Sequence, residues 1–432
     1  MSNKLFFSLI IYGGSSGVAR ILPLLVLPFL LRKLGADEFG RIEIIFAFFN
    51  LAIIFGIAQL ESSFQRFFFK SKNIGDLYFT IVTLIILLSI IVISVIMFFS
   101  SKISTLLFGS LIEIKSICIT AITIFFVNIS TINLIYLRFL DCKLKFAVSN
   151  ITQVVVSVFV GYILIVNYDL GSLGYFIGIL IGWIFCFIIT CFYLAGNIKA
   201  HARYKLYNVS NILSFSMPQF PARIASFIFQ YGNRFIILSA LGSLAVAKVS
   251  LAIKFAAPFQ FLMLALSMVW NPFLYKSEGS DDLNNKLNIY INYLIVTIIL
   301  IHVIVVIGSR YIVANFLDSE LAEIAGYVPL AIIPFELLVL KEIIESGIKL
   351  SNKTKYITYS YLISSIIMVS TMLISKNIFY MLNALILGTY SMIILTWYYS
   401  TITSSLKLSM KAFCVYSIFI LANIYYCYLI ID

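Results

Sequence analysis

Apolar runs of about 20 residues or more recur along the whole chain, separated by short polar stretches. A run of this length crosses the roughly 30 Å hydrocarbon core of a bilayer as an α-helix. Lipid cannot satisfy backbone polar groups, and no period-2 alternation typical of a barrel is present, so each run is predicted to be helical. The predicted spans lie at about 5–31, 42–67, 77–99, 114–137, 146–166, 172–195, 211–240, 245–274, 287–308, 324–348, 355–374 and 378–400, with a thirteenth at about 412–431.

The composition supports the same interpretation. Of the 432 residues, 62% are hydrophobic and only 11% are charged, whereas a soluble domain has about 45–50% apolar and 25% charged residues. These values exclude a soluble enzyme, a DNA-binding module and a disordered scaffold. The first apolar run is too long for a signal peptide, so we expect no cleavable leader. The predicted fold class is an all-α polytopic membrane protein.

The distribution of Lys and Arg predicts the orientation. The chain carries 30 of these residues against 18 Asp and Glu, a net charge of +12. A cytoplasmic N-terminus places sixteen Lys and Arg on the cytoplasmic side and seven outside, with the others within spans. This bias follows the positive-inside rule. The basic excess therefore indicates contact with anionic membrane lipids and not with nucleic acid.

The chain is predicted to consist of two six-helix lobes around a central cavity. A polar joint near residues 196–209 separates residues 1–200 from residues 201–405, and residues 406–432 form an extra transmembrane helix. The first span ends in Leu34-Gly35 and the seventh in Leu241-Gly242, and each passes through a short corner into the next span. Both lobes enter the membrane from the same side, so the repeat is parallel, about an axis along the membrane normal.

All eight prolines lie within predicted spans, and the first span of each lobe carries two of them. The two pairs are Pro23 and Pro28, and Pro218 and Pro221. Helices interrupted by Gly or Pro at corresponding places in two halves are the best sequence indication of a transporter binding site. The alternative is that membrane helices simply tolerate proline.

Three basic residues are predicted to lie near the middle of the bilayer. At a rise of 1.5 Å per residue, Arg20, Arg223 and Lys254 lie about 22, 18 and 14 Å into their spans. Each costs about 2.5–3.5 kcal/mol if it faces lipid. We therefore expect them to line a hydrated, electropositive cavity whose ligand is an anion, and a pyrophosphate fits arginine side chains well.

Other intramembrane charges are secondary candidates. The further candidate substrate-binding residues are basic and lie nearer span ends: Arg66, Arg234 and Lys341. The candidate coupling residues are acids within spans: Glu61, Glu336 and Glu345. Basic residues near span ends can also extend to the membrane surface. The spacing of Lys341 and Glu345 favours a helix-face ion pair, with proton or sodium coupling as the alternative.

Several catalytic and binding motifs are absent. The chain has no phosphate-binding loop and no zinc-protease motif, and six Cys and two His residues form no metal-binding pattern. We expect no cofactor, no metal and no enzymatic activity. Without an internal ATPase, transport has to be driven by an ion gradient or by the gradient of the substrate.

Four short blocks resemble the O-antigen and polysaccharide flippases (Wzx-type) of the multidrug/oligosaccharidyl-lipid/polysaccharide exporter superfamily. The blocks are Pro23 with Leu34-Gly35-Ala36-Asp37-Glu38-Phe39-Gly40, then Phe215-Ser216-Met217-Pro218 with Asn233-Arg234-Phe235, then Ala247–Ala256, and then Trp270-Asn271-Pro272-Phe273-Leu274-Tyr275. Two positions depart from the family pattern. Asn233 replaces the usual acid before Arg234, and Lys248-Val249 replaces a glycine and its neighbour.

The resemblance implies that the protein flips undecaprenyl-pyrophosphate-linked oligosaccharide across the bacterial cytoplasmic membrane by alternating access. It implies a lipid-linked oligosaccharide substrate, and a polysaccharide polymerase and a chain-length regulator as candidate partners. Two alternatives stay open. One is a drug antiporter of the same superfamily, which would favour intramembrane acids. The other is a membrane-embedded polymerase or glycosyltransferase, which would carry a large extracytoplasmic loop.

Overall fold

The computed structural model describes residues 3–71, 73–201, 207–276, 283–317, 321–351, 353, 355–404 and 411–431. The regular elements in these ranges are helices. The chain divides into two compact units, Met1–Phe227 and Ile228–Asp432. The predicted lobe limits stay a prediction, and the limit between residues 405 and 406 lies outside the described residues.

The described residues of the first unit contain nine α-helices. They are α1 (Asn3–Ile57), α2 (Leu60–Phe67), α3 (Ile74–Phe98), α4 (Ser100–Phe108), α5 (Ile114–Phe139), α6 (Lys143–Val166), α7 (Gly171–His201), α8 (Val209–Ser216) and α9 (Phe220–Phe227), with a 3₁₀ turn at Met217–Gln219 between the last two.

The second unit begins with a π-helical segment, Ile228–Gly232, and continues with eight α-helices. They are α10 (Asn233–Lys254), α11 (Ala257–Lys276), α12 (Leu283–Phe316), α13 (Ile324–Ile344), α14 (Ser346–Leu350), α15 (Lys355–Ile374), α16 (Ile378–Thr403) and α17 (Lys411–Ile431).

The predicted polytopic all-α fold is confirmed. Among the described residues, ten helices are long and apolar enough to cross a membrane, or eleven if the bent pair Ser243–Lys254 and Ala257–Ser267 is one span. The helix over Gly13–Ile57 covers most of the first predicted span and the first part of the second, and a break in helical geometry at Gly35 lies between them. The shorter apolar helix Phe413–Leu429 lies where the thirteenth span is predicted.

Glycines allow α6 and α7 to pack at close range in the first unit. Gly174, Gly178 and Gly182 are spaced four residues apart and lie on one face of α7. A Cβ on Gly178 would lie 2.6 Å from the Ser157 carbonyl oxygen and 2.7 Å from the Gly161 Cα. Small residues at this spacing bring helix backbones together in membranes, where packing replaces the hydrophobic driving force.

The corner that follows the first span is held by a polar cluster. Arg41 Nε donates to Glu113 Oε1 at 3.1 Å, and the same guanidinium pairs with Asp37 one helical turn before it. Ser172 Oγ donates to Glu113 Oε2 at 2.6 Å, and the Ser172 amide donates to Glu38 Oε1 at 2.8 Å. The cluster therefore ties the corner to the N-termini of α5 and α7.

Helix α13 forms the core of the second unit. It is buried along most of its length and packs against α10, α11, α12, α16 and α17. Apolar side chains such as Val328, Leu330 and Leu337 are fully buried on it. Two prolines, Pro329 and Pro334, lie inside the helix without ending it.

The two predicted corners share an unusual backbone geometry. Gly35 has φ 74° and ψ 166°, and Gly242 has φ 83° and ψ 179°. This region of dihedral space is populated almost only by glycine. The sequence repeat at Leu34-Gly35 and Leu241-Gly242 is therefore a repeat of one backbone turn within two otherwise different corners.

We expect Gly35→Ala and Gly242→Ala each to lower the free energy of unfolding by about 1–3 kcal/mol, because a Cβ is strained at these dihedral angles. The measurement is thermal unfolding of the detergent-solubilised protein. Gly308→Ala is the matched control, since Gly308 lies inside α12 and no atom lies within 4 Å of the added Cβ. Equal melting temperatures for all three variants would contradict the strained-corner explanation.

Candidate functional site

The predicted second span is interrupted in the first unit. Helix α1 ends at Ile57 and α2 begins at Leu60. The two residues between them, Ala58 and Gln59, have positive φ angles of 45° and 60°. Non-glycine residues rarely adopt such angles, and they concentrate at functional sites. The sequence predicted one continuous helix over 42–67, and no proline or glycine between residues 57 and 60 marks this break.

The seventh span is also interrupted, and here prolines mark the place. Pro218 lies in the 3₁₀ turn Met217–Gln219, and Pro221 lies in the first turn of α9. The span changes geometry again in the π-helical segment Ile228–Gly232. By contrast, α1 continues through Pro23 and Pro28 as one helix. The proline pattern therefore predicts an interruption correctly in the seventh span and not in the first.

The two interrupted helices lie side by side within the first unit. Ser63 Oγ on α2 donates to the carbonyl oxygen of Ile212 on α8 at 2.8 Å. The rings of Phe67 and Phe215 lie 6.0 Å apart. Helix α1 contacts α9 in the same region. The helices on either side of the break in the second span therefore pack against the helices on either side of the break in the seventh span.

Two predicted basic residues lie on these elements with exposed side chains. Arg66 is in the last turn of α2, and its guanidinium carbon lies 5.8 Å from the centre of the Phe215 ring. Arg223 is on α9. Neither residue forms an ion pair within 4.0 Å with a described residue. Both guanidinium groups are therefore available to an anionic ligand.

One acid accompanies these arginines. Glu61, in the first turn of α2, is partly buried, and the charge of Arg223 acts on its carboxylate. Glu61 and Arg223 are far apart along the chain. The sequence alone therefore does not show that they are near each other, which requires α2 to pack against the seventh span.

Two buried oxygen atoms of this region have no hydrogen-bond partner among the described residues. They are Gln59 Oε1 and Glu61 Oε2. Gln59 does use its amide nitrogen, which donates to Ser62 Oγ at 3.1 Å. Buried acceptors are normally paired, and an orphan calls for a specific explanation. A ligand hydroxyl group that donates to these atoms provides one.

The other two mid-membrane candidates lie on other helices. Arg20 has an exposed side chain on α1, in the first unit. Lys254 is half-buried at the end of α10, in the second unit. The group formed by Gln59, Glu61, Arg66 and Arg223 is hereafter the arginine site.

Arg234 is buried, with 5% of its surface exposed. Its Nε donates to Ser250 Oγ at 3.0 Å, and its Nη1 donates to the Gln230 carbonyl oxygen at 3.0 Å. The alternative in which this side chain extends to the membrane surface therefore does not hold. Arg234 lies before the break at Gly242 and Ser250 lies after it, so the Arg234–Ser250 bond joins the two parts of α10.

Lys341 is also buried, and its predicted ion pair with Glu345 is confirmed at 2.5 Å. Lys349 enlarges the pair to a network, with Nζ 2.7 Å from Glu345 and 2.8 Å from Glu342. The Lys341 ammonium also lies 4.8 Å from the centre of the Tyr361 ring. These four charged residues satisfy one another at the end of α13 and on α14.

Glu336 belongs to a different buried cluster, which sequence analysis missed. His302 Nδ1 lies 2.7 Å from Glu336 Oε1, and the Tyr416 hydroxyl donates to Glu336 Oε2 at 2.5 Å. His302 Nε2 lies 3.1 Å from Asn423 Oδ1. A histidine and a glutamate in separate apolar spans were the available signal. In the described part of the chain, no group of three His, Cys, Asp or Glu side chains could hold a metal ion.

The fold is that of multi-pass membrane transporters and flippases. One similar structure is the lipid II flippase MurJ in an inward closed conformation, with a TM-score of 0.72 and 17% identity, covering 97% of this chain and 92% of MurJ. Another is an inward-facing multidrug resistance MATE family transporter of the MOP superfamily, with a TM-score of 0.72 and 11% identity, covering 93% and 94%.

A third similar structure is a MOP superfamily transporter from Pyrococcus furiosus, described as having a binding pocket of reverse polarity. The TM-score is 0.61 at 12% identity, and the match covers 96% of both chains. No curated protein matches the sequence significantly. The polysaccharide biosynthesis protein family matches residues 7–278, more than half of the chain. The chain belongs to this family.

We expect Glu345→Gln to lower the free energy of unfolding by about 3 kcal/mol, because it leaves the buried Lys341 ammonium without its carboxylate. The double variant Lys341→Met, Glu345→Gln should recover part of this loss. Asp169→Asn is the control, since the Lys33–Asp169 pair is exposed and such pairs contribute at most about 1 kcal/mol. Thermal unfolding in detergent measures all three, and equal losses for the two single variants would refute the role of burial.

Proposed function

We propose that the protein is a flippase that moves undecaprenyl-pyrophosphate-linked oligosaccharide repeat units, of O-antigen or another surface polysaccharide, across the bacterial cytoplasmic membrane. Its N-terminus lies in the cytoplasm. The observation that carries the proposal is the arginine site, where exposed guanidinium groups stand beside two interrupted helices in a chain of the polysaccharide biosynthesis family. Discontinuous membrane helices are a recurrent feature of transporter binding sites.

The chemistry of the arginine site suits a pyrophosphate linked to a sugar. Arg66 and Arg223 offer planar, permanently charged donors, which match phosphate oxygens in bidentate geometry. Gln59 Oε1 and Glu61 Oε2 are the unpartnered acceptors, and sugar hydroxyl groups are suitable donors for them. A sugar pyrophosphate thus uses both the arginine donors and the unpartnered acceptors of the site. The polyprenyl chain can stay in the lipid.

Glu61 gives the site a means of release. Its charge acts on Arg223, so it competes with a bound phosphate for the same guanidinium group. A flippase has to bind its substrate on one side and release it on the other, and binding that is too tight would slow the cycle. We therefore assign Glu61 to weakening the binding of the pyrophosphate, and this role replaces ion coupling as its first assignment.

The other predicted residues receive different roles. Arg20 and Lys254 are proposed as further cationic contacts along the path of the substrate. Arg234, Lys341 and Glu345 are bonded within the protein, and we assign them to stability. The central cavity, the alternating access of two lobes, and a downstream polymerase with its chain-length regulator stay predictions.

We expect Arg66→Ala and Arg223→Ala to reduce translocation at least tenfold, because each removes a principal phosphate donor, and Arg20→Ala to reduce it less. The assay uses proteoliposomes with fluorescent undecaprenyl-pyrophosphate-linked N-acetylglucosamine and a membrane-impermeant quencher, which measures transfer between leaflets. Arg32→Ala is the charge-matched control, since Arg32 is also exposed on α1 and lies outside the site. Unchanged transfer in the Arg66 and Arg223 variants, with protein present in the vesicles, would overturn the site assignment.

We expect Glu61→Gln to tighten binding of the same probe by up to about fivefold, the effect of one partly exposed charge pair, and to slow its release. Equilibrium binding in detergent and transfer in proteoliposomes measure the two effects separately. Weaker binding in Glu61→Gln would show that the carboxylate is a substrate acceptor and not a competitor for Arg223.

A cation antiporter is the alternative that the assay must separate, because the fold is shared with multidrug transporters. An antiporter would move ethidium across the same vesicles and would be impaired by Glu61→Gln more than by Arg223→Ala. Transfer of ethidium without transfer of the pyrophosphate probe would replace the flippase proposal.

A further inference from the structure

The second unit contains a buried polar cluster that the proposed arginine site does not use. It consists of His302 on α12, Glu336 on α13, and Tyr416 and Asn423 on α17. Glu336 and Tyr416 are fully buried, and His302 is 2% exposed. Half of the cluster thus comes from the C-terminal helix, whose outward side chains such as Ile418, Leu421 and Tyr425 are exposed and apolar.

The orientation of Asn423 determines which nitrogen of His302 carries hydrogen. Asn423 Nδ2 donates to the Phe419 carbonyl oxygen at 2.9 Å, one helical turn earlier. The amide oxygen therefore points away from that carbonyl and lies 3.1 Å from His302 Nε2. An amide oxygen only accepts, so Nε2 has to be the protonated donor.

The remaining contact holds one more proton. His302 Nδ1 and Glu336 Oε1 lie 2.7 Å apart, and both would be acceptors if neither carried hydrogen. The proton lies on Nδ1, giving an imidazolium–carboxylate pair, or on Oε1, giving a neutral pair. Either form has no net charge. A buried, hydrogen-bonded and electrically neutral pair is the arrangement that hydrocarbon surroundings favour.

Removal of this proton costs the cluster one hydrogen bond of His302. A neutral imidazole carries one N–H, whereas the carboxylate at Nδ1 and the amide oxygen at Nε2 both require a donor. Only one of the two bonds can then form. If Nδ1 keeps the hydrogen, the Nε2 lone pair faces Asn423 Oδ1. If Nε2 keeps it, the Nδ1 lone pair faces a carboxylate.

We propose that the His302–Glu336 pair is a one-proton binding site that latches helix α17 onto α12 and α13. With the proton bound, all four hydrogen-bonded groups are satisfied and α17 is held. When the proton leaves, His302 can keep only one of its bonds to Asn423 and Glu336, so the attachment of α17 is weakened and depends more on the Tyr416–Glu336 bond. The latch belongs to the second unit alone, so it goes beyond the proposed flippase activity and does not depend on the identity of the substrate.

Few other ionisable groups among the described residues of the surrounding helices can supply or compensate this proton. On α17 the facing group is Tyr416, which already donates to Glu336. On α12 the nearest charge is Arg310, which is exposed and bonds the Tyr426 hydroxyl. On α13 itself Lys341 is paired with Glu345.

The remaining helices packed against α13 carry either basic residues only or no charged residues. Helix α10 carries three basic residues. Arg234 is bonded to Ser250, and Lys248 is paired with Glu323. The third is Lys254. Helix α16 has no Asp, Glu, Lys, Arg or His, and the only charged residue of α11 is Lys276 at its end. Glu336 is therefore the acid on which the cluster depends.

The chain has only two histidines, His201 and His302, so the proton can be observed directly. In full-length protein labelled with ¹⁵N-histidine and reconstituted in lipid nanodiscs, His201→Gln leaves His302 as the single imidazole signal. We expect its Nε2 to be protonated at neutral pH, with a shared proton at Nδ1 that is lost as the pH is raised. An unprotonated Nε2 at neutral pH, or no titration while the protein stays folded, would overturn the proposal.

Two variants test whether the proton of the His302–Glu336 pair controls the attachment of α17. In Glu336→Gln the amide nitrogen can donate to Nδ1 and the amide oxygen can accept from Tyr416, so every bond is kept without a titratable group. Asn423→Leu has a similar volume and removes the acceptor of Nε2. Hydrogen–deuterium exchange of α17 is the readout, corrected for the intrinsic pH dependence of exchange, with α15 of the same unit as reference.

We expect exchange in α17 to accelerate at least tenfold as the pH is raised in the wild type, to stay slow in Glu336→Gln, and to be fast at every pH in Asn423→Leu. Exchange in α15 should not change. If Glu336→Gln responds to pH like the wild type, or if α15 accelerates together with α17, the latch is refuted. The nuclear magnetic resonance measurement uses native Glu336 and tests the proton count even if Glu336→Gln does not fold.

Discussion

Hydrocarbon offers no hydrogen-bond partner, and this constraint decides where every polar group in the spans can lie. A charge in such surroundings has to be neutralised by the protein or kept in contact with water. The second unit follows the first solution, with Lys341 bonded to Glu345 and His302 bonded to Glu336. In the first unit, the side chains of Arg66 and Arg223 are exposed and form no ion pair with a described residue.

Under the proposed function, this division separates stability from ligand binding. The buried networks of α13 hold their helices in fixed positions, because removing one partner leaves the other charged in a low dielectric medium. The arginine site has the opposite character, with strained backbone at Ala58 and Gln59 and two unpartnered oxygen atoms. Such features cost stability, and proteins retain them where a ligand later satisfies them.

Physical signals that are local in the chain predicted the structure correctly. The apolar runs predicted the helices because length and hydropathy determine a span, and the spacing of Lys341 and Glu345 predicted their ion pair because one helix fixes it. The prolines predicted the irregular geometry near Pro218 and Pro221. The prolines at 23 and 28 gave no break, since the surrounding helix continues through them.

Features that depend on packing between distant segments escaped prediction. Glu61 approaches Arg223 only after α2 packs beside the seventh span, and His302 meets Glu336 and Tyr416 only in the folded second unit. The break at Ala58 and Gln59 carries no composition signal, because both residues are common in helices. The bond of Arg234 to Ser250 was not predicted, because it forms only when the chain folds back after the break at Gly242.

The corners at Gly35 and Gly242 carry a historical consequence. Their surroundings share almost no chemistry, since one corner is charged and the other is apolar, yet their dihedral angles agree to within about 15°. A duplicated half-length ancestor would leave such a trace, because a turn that only glycine tolerates resists replacement while neighbouring side chains diverge. In chains of this kind, an ancient duplication should accordingly be sought by comparing the backbone dihedral angles of glycines, because sequence alignment no longer detects it.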